Sequence, residues 1–204
     1  MPTPERITSH RRPPGARTRT LLAMAIVAAA CVAAAPASGA AQDSLDARSA
    51  ALVRDKYLTD LDTLHAKFMA LAEAIPADKY DWRPSTSVRT VSQVLMHVAS
   101  EWYYYVPRSI GGTGPADFGT PKETLPKLET ITAKADVIAQ LNKSWAHCQA
   151  QVSAANPAAL VGKYKPWNVS LPEASFAMAG DLHEHLGQLI AYARSVGVVP
   201  PWSK

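Results

Sequence analysis

Beyond residue 44, apolar side chains recur three and four positions apart, and no run alternates apolar and polar residues long enough to make a strand. The first such segment spans about Ser44 to Ile75, with Tyr57, Leu61, Leu64, Phe68, Ala72 and Ile75 on one stripe and Pro76 as its stop. A turn at Tyr80-Asp-Trp-Arg-Pro84 leads to Ser85-Thr-Ser87, whose hydroxyls are expected to cap a second helix that runs to about Pro107. Its core stripe is Val91, Val94, Leu95, Val98 and Trp102. A third helix is expected from about Thr130 to Ala155, carrying Ile131, Val137, Leu141, Trp145 and Val152. A fourth begins at Pro172, which suits a first helical turn, and extends to Val196 with Gly197 beyond it. Between the second and third, Gly111 to Pro126 is rich in Gly, Pro and Thr and reads as a long loop; Pro157 to Pro172 reads as irregular. The pattern predicts an all-α four-helix bundle with two long connections.

The first forty residues follow a different pattern. Arginines occupy the stretch up to Thr20, an apolar run extends from Leu21 to Ala35, and small residues surround Ala37-Ser-Gly-Ala-Ala41. That order is the layout of a secretory signal. The apolar run is about fifteen residues, short of the ~20 that span a bilayer, so no stable membrane insertion is expected after cleavage. Residues 1–40 are therefore assigned to a signal peptide and 41–204 to one domain, exported to the periplasm or outside the cell. A lipoprotein anchored through Cys31 is the lesser reading.

Charge sharpens this division. The chain carries a formal +4, but five of its 21 basic residues and one of its 17 acidic residues lie in the leader, leaving 16 of each behind. A neutral body gains little from counterion release, which excludes nucleic acid as a partner. With 204 residues, 48% of them hydrophobic, the chain can bury one sizeable core. Cleavage would leave Cys148 as the sole cysteine, so no intramolecular disulfide is expected.

Candidate chemistry lies on the fourth helix, in Asp181-Leu-His-Glu-His-Leu-Gly-Gln188. At 100° per residue, Asp181 falls about 40° from His185, and Met178, Leu189, Tyr192 and Val196 share the same face. A carboxylate and an imidazole facing a core need partners, and a divalent cation would satisfy both; a plain Asp–His hydrogen bond would too. His183 lies about 160° away and is excluded as a ligand. On the second helix His97 offers a third donor at the edge of the apolar stripe, and Glu101, four residues on, is the nearest candidate base. His65, at the margin of the first stripe, is expected to pack, and Tyr103-Tyr-Tyr105 to wall a pocket or pack between helices.

Three segments carry a resemblance: Trp82-Arg-Pro, then Ser92-Gln-Val-Leu-Met-His-Val-Ala, and above all His183-Glu-His-Leu-Gly-Gln-Leu-Ile-Ala-Tyr-Ala-Arg with the trailing Gly197-Val-Val-Pro-Pro-Trp202. They resemble the DinB/YfiT-like superfamily over roughly residues 50–202. The resemblance implies an up-down-down-up four-helix bundle with a metal triad. One ligand comes from the second helix and two from a His-x-x-x-His-x-Gly-Gln pattern on the fourth. In this chain those positions are His97, Asp181 and His185. Asp181 departs from the commoner histidine, leaving the metal open among Zn, Ni, Fe and Mn.

Three protein ligands leave coordination positions free, as catalytic sites do. The resemblance implies metal-activated water or thiol chemistry on a small molecule, that is, a hydrolase or a thiol transferase. Export favours the hydrolytic version, because small thiols are mainly cytoplasmic. A non-catalytic metal- or small-molecule-binding bundle of the cell envelope stays open beside it, as does a homodimer. N-terminal sequencing of exported protein is expected to start near Ala41 or Gln42; an intact Met1, or a lipid on Cys31, would overturn the leader assignment.

Overall fold

The Asp46 carboxylate accepts the backbone N–H of Ser49 at 2.7 Å and so opens the first helix, α1, Ala47–Ala74. Ile75 then turns extended, as a residue before proline must, and Pro76 ends the run. The predicted stripe is the buried one: Tyr57, Leu61, Leu64, Phe68, Ala72 and Ile75 all lie inside. The structure, a computed structural model, describes residues 45–203. The expected signal peptide, its cleavage site and Cys31 lie outside the described residues. Among those described, no helix is long and apolar enough to cross a membrane.

Helix α2, Val91–Ser100, is capped by Thr90 rather than by the hydroxyls at 85–87. Thr90 Oγ1 accepts from the Gln93 backbone at 3.2 Å, and the Gln93 side chain accepts from the Thr90 backbone at 3.0 Å. The expected second helix does continue past Ser100, but its register changes. Residues Glu101–Tyr105 form a π-helical turn, in which the N–H of Val106 reaches back five residues to Glu101, and α3, Val106–Ser109, follows. Pro107 has no N–H to give and its ring crowds the carbonyl four residues back, so a widened turn just before it relieves a regular ladder.

The loop expected over Gly111 to Pro126 is interrupted by a helix, α4, Pro121–Leu128. Its start is written as a Thr120/Glu123 capping box with Pro121 in the first turn; the Glu123 carboxylate accepts the Thr120 backbone N–H at 3.1 Å. Helix α5, Lys134–Ala154, begins four residues later than expected and buries Val137, Leu141, Trp145, Cys148 and Val152, while Ile131 packs on the core from the preceding turn. The irregular segment holds a short antiparallel pair, β1 (Lys163–Tyr164) and β2 (Val169–Ser170), turned by Asn168 at φ 54°. Asn tolerates that left-handed conformation better than most residues. Ser170 then caps α6, Leu171–Ser195, which stops at Gly197, φ +81°.

The domain is thus predominantly helical. α1 packs on α5 and α6, and α2 on α5 and α6. Trp82 touches Tyr192 near the start of α2 and the end of α6, whereas His97 meets His185 further along, so these two helices run antiparallel. Asp60 of α1 bonds His183 of α6, and Leu52 and Phe176 share a groove further back, so α1 and α6 run parallel. In the centre His65 stacks on Trp145 at 4.6 Å and meets Trp102 edge-on at 5.5 Å, which gives it the packing role expected. Cys148 is buried with no partner thiol among the described residues, and burial pushes its thiol pKa up.

Phe68 is fully buried and meets Trp102 edge-on at 5.8 Å. Phe68→Ala is expected to cost about 3–5 kcal/mol in urea unfolding. A loss below about 1 kcal/mol would mean this ring is not in the main core.

Candidate metal centre

The antiparallel packing of α2 against α6 brings four polar side chains to one place on an otherwise apolar seam. His97 lies on the second turn of α2, and Glu101 stands one turn on, at the start of the π segment. Asp181 and His185, also one turn apart, face them from α6.

A single oxygen organises the group. Glu101 Oε1 lies 3.2 Å from His97 Nε2 and 3.4 Å from His185 Nε2. The two imidazole rings meet edge to face with centroids 4.8 Å apart. One donor atom from each of His97, Glu101 and His185 lies within 4.8 Å of the others. Asp181 is more peripheral: its Oδ1 is 3.8 Å from His185 Nε2, and its side chain is 45% exposed against 2% for Glu101. Both histidines are largely covered, at 17% and 15%. The α6 wheel is consistent with the position of Asp181 beside His185, but Glu101 is the carboxylate common to both histidines.

Burial by itself would push the Glu101 carboxyl up, but hydrogen bonds from His185, His97 and Asp181 outweigh it and bring the group down to about 2. Asp181 goes the other way, raised to about 6 by desolvation first and then by the neighbouring Glu101. For His185, desolvation disfavours the charged form, yet Glu101 overcomes this and holds the imidazole above its ordinary value of 6.5. One carboxylate is therefore kept ionised and the other holds a proton nearer to neutrality.

Supporting contacts orient the donors. His185 Nδ1 donates to Gln188 Oε1 at 3.3 Å, which leaves Nε2 to face Glu101. Gln188 in turn donates to the Tyr192 hydroxyl at 3.0 Å, and Tyr192 meets Trp82 edge-on. In the sequence, Gln188 stands as the end of the His-x-x-x-His-x-Gly-Gln pattern and Glu101 as a candidate base four residues from His97; neither signal places Glu101 between the two histidines. His183 points away, half-exposed, with Nε2 at 3.1 Å from each carboxylate oxygen of Asp60.

Buried polar atoms are normally satisfied, yet Glu101 Oε2 and His97 Nδ1 have no hydrogen-bond partner. Two imidazoles and an ionised carboxylate, with one carboxylate oxygen unspent, fit a divalent cation of borderline softness. Near neutral pH, the proton on His185 would compete with such a cation. Metal affinity is therefore expected to fall more than tenfold as pH drops from about 8 to about 5.5, read by competition with a chelator. An affinity flat across that range would mean that these donors do not hold the ion.

A profile of the DinB superfamily matches residues 60–189, a span that contains His97, Glu101, Asp181 and His185. No curated protein and no solved structure matches the chain. Matched over more than half of its length, on the helices that bring these side chains together, the chain belongs to the DinB superfamily.

Proposed function

We propose that the protein is an exported, metal-dependent enzyme acting on a small molecule, with one divalent ion held by His97, Glu101 and His185. The observation that carries this reading is the convergence of both imidazoles on a buried, ionised Glu101 whose second oxygen has no partner. When bound, a divalent ion supplies Lewis acidity and lowers the pKa of a coordinated water or thiol. His97 and His185 bring imidazole donors, with Gln188 fixing the orientation of His185. Glu101, held near 2, offers a permanently ionised oxygen and is too weak a base to accept a substrate proton at neutral pH. Asp181, on the exposed rim and raised to about 6, suits proton transfer. From sequence, Asp181 is expected to ligate and Glu101 to act as base; the geometry supports exchanging the two roles.

The exposure of Asp181 supports an open site rather than a sealed structural one. A polar cleft of about 480 Å³, lined by Thr86, Ser87, Arg89, Gln93, Glu129 and Gln188, adjoins the centre through Gln188 and offers space for a small polar substrate. The parallel run of α1 and α6 supports the up-down-down-up order of the bundle. The arginine-bearing, apolar, then small-residue order of residues 1–40 supports export.

Chelator competition on single variants tests the ligand set. His97→Ala and His185→Ala are expected to abolish stoichiometric metal, and Glu101→Gln to weaken it by more than about 100-fold. Asp181→Asn is expected to cost no more than about tenfold, and Asp181→His added to Glu101→Gln to restore binding by regenerating a three-histidine site. Metal loss confined to Asp181→Asn, with Glu101→Gln unaffected, would return Asp181 to the ligand's place. Full metal binding with no hydrolytic or transfer activity on any small ester, amide or thiol conjugate would favour a binding bundle over an enzyme.

A further inference from the structure

The polar cleft beside the metal donors has one charged wall. Arg89 precedes the Thr90 cap of α2, and Glu129 caps the end of α4, a helix that packs on α2. Arg89 Nε donates to Glu129 Oε1 at 2.7 Å, and both side chains line the cleft. The contact uses only part of each group. Arg54 holds Asp55 side-on, through Nε at 2.9 Å and Nη2 at 2.8 Å, whereas Arg89 spends Nε alone. Among the described residues, neither terminal nitrogen of Arg89 has a hydrogen-bond partner, and neither does Glu129 Oε2. Gln93 Nε2, from another side of the same cleft, is likewise without one.

These spare groups define what fits. The end of a guanidinium offers two parallel N–H directions that match a carboxylate, and Gln93 adds a further donor. A carboxylate alone would also face the negative charge of Glu129, and a cation alone the positive charge of Arg89. A zwitterion answers both, with its carboxylate on the end of Arg89 and its ammonium at Glu129 Oε2. Those two groups on one carbon make the head of an α-amino acid. The cleft also lies where such a ligand reaches the metal donors. Gln93 stands four residues before His97 on α2, and Gln188 three beyond His185 on α6, about 6 Å and about 4.5 Å along the helix axes. Because the two helices are antiparallel, both offsets point the same way. Gln188, bonded to His185, is a wall common to cleft and centre.

Taking the metal centre as proposed, we infer that its substrate is an α-amino acid or a conjugate of an amino-acid side chain. Arg89 and Glu129 hold the zwitterionic head, and the side chain runs past Gln188 toward the metal. Helix α4 thereby gains a role in recognition, since it carries Glu129 to the cleft. The head is bound about a helical turn from the reacting atoms, so a side chain of a few bonds spans the gap.

Calorimetric titration of the zinc-loaded protein with three hydroxamates tests this, since their common end chelates the ion. L-Glutamate γ-hydroxamate carries the full head, glutarate monohydroxamate lacks the amine, and butyrohydroxamate lacks both amine and carboxylate. Affinity is expected to fall in that order, about tenfold at each step, as one charge-assisted contact is lost each time. In Glu129→Gln the first two probes are expected to bind alike. Arg89→Lys keeps the charge but loses the fork, so it should weaken the zwitterion about tenfold and leave butyrohydroxamate unchanged. Each comparison is made between probes within one variant, so a general loss of stability does not move it. Equal affinity for all three probes, with zinc required, overturns the amino-acid assignment and leaves the metal reading standing. So does a glutarate probe that matches the zwitterion in the wild type, which would make the cleft a plain carboxylate site. A preference for the zwitterion that survives both variants overturns it too, by placing the head elsewhere. Butyrohydroxamate binding that is absent, or indifferent to zinc, overturns the metal reading and this assignment with it.

Discussion

A carboxylate removed almost completely from water dictates the local design of this domain. An ionised Glu101 at 2% exposure would be prohibitively costly alone, and desolvation does push it toward the neutral acid. What keeps it charged is two imidazoles arriving from different helices on the same oxygen. That requirement ties α2 to α6 at one register and leaves little freedom in how the two helices slide. It also sets the two carboxylates apart: desolvation first, and then proximity to an ionised Glu101, raises Asp181 to about 6.

The backbone around Glu101 is arranged for the same end. The Thr90–Gln93 box fixes the start of α2, and Ser109 ties down the end of α3 by accepting at its carbonyl from Ser175 of α6 and sharing a hydrogen bond with Tyr57 of α1. Between these two anchors the chain must fit one residue more than a regular α-helix would, and the π turn at 101–105 takes up the difference. His97 lies before that turn and the aromatic run Trp102-Tyr-Tyr-Tyr105 within it, so the widened turn separates the faces on which they project.

Signals that act within a few residues were legible in the sequence. Pro76, Pro172 and Gly197 mark helix ends through fixed φ, a missing N–H or left-handed freedom, and the helices end where those constraints apply. The apolar stripes of α1, α2 and α5 were equally readable, because burial follows the 3.6-residue period. The start of α2 was not, since four hydroxyl residues lie between Ser85 and Thr90 and only packing selects Thr90. Helix α4 was hidden by the Gly, Pro and Thr around it, although its Thr120/Glu123 box was written in plain form. The candidate donors show the deeper limit. A wheel drawn for α6 alone sets Asp181 beside His185, as the structure also has them, but whether Asp181 or Glu101 sits between the histidines depends on how α2 and α6 are offset. That offset is a property of two helices together, and no single-helix pattern contains it.

Cys148 lies deep beside α1 with its thiolate disfavoured by burial, and no second cysteine occurs among the described residues. Such a thiol is a poor nucleophile and a poor target for oxidants. Folding of this domain therefore asks nothing of the redox poise around it, in contrast to small secreted domains that rely on disulfides. Its core would assemble equally well in a reducing cytosol or in an oxidising envelope.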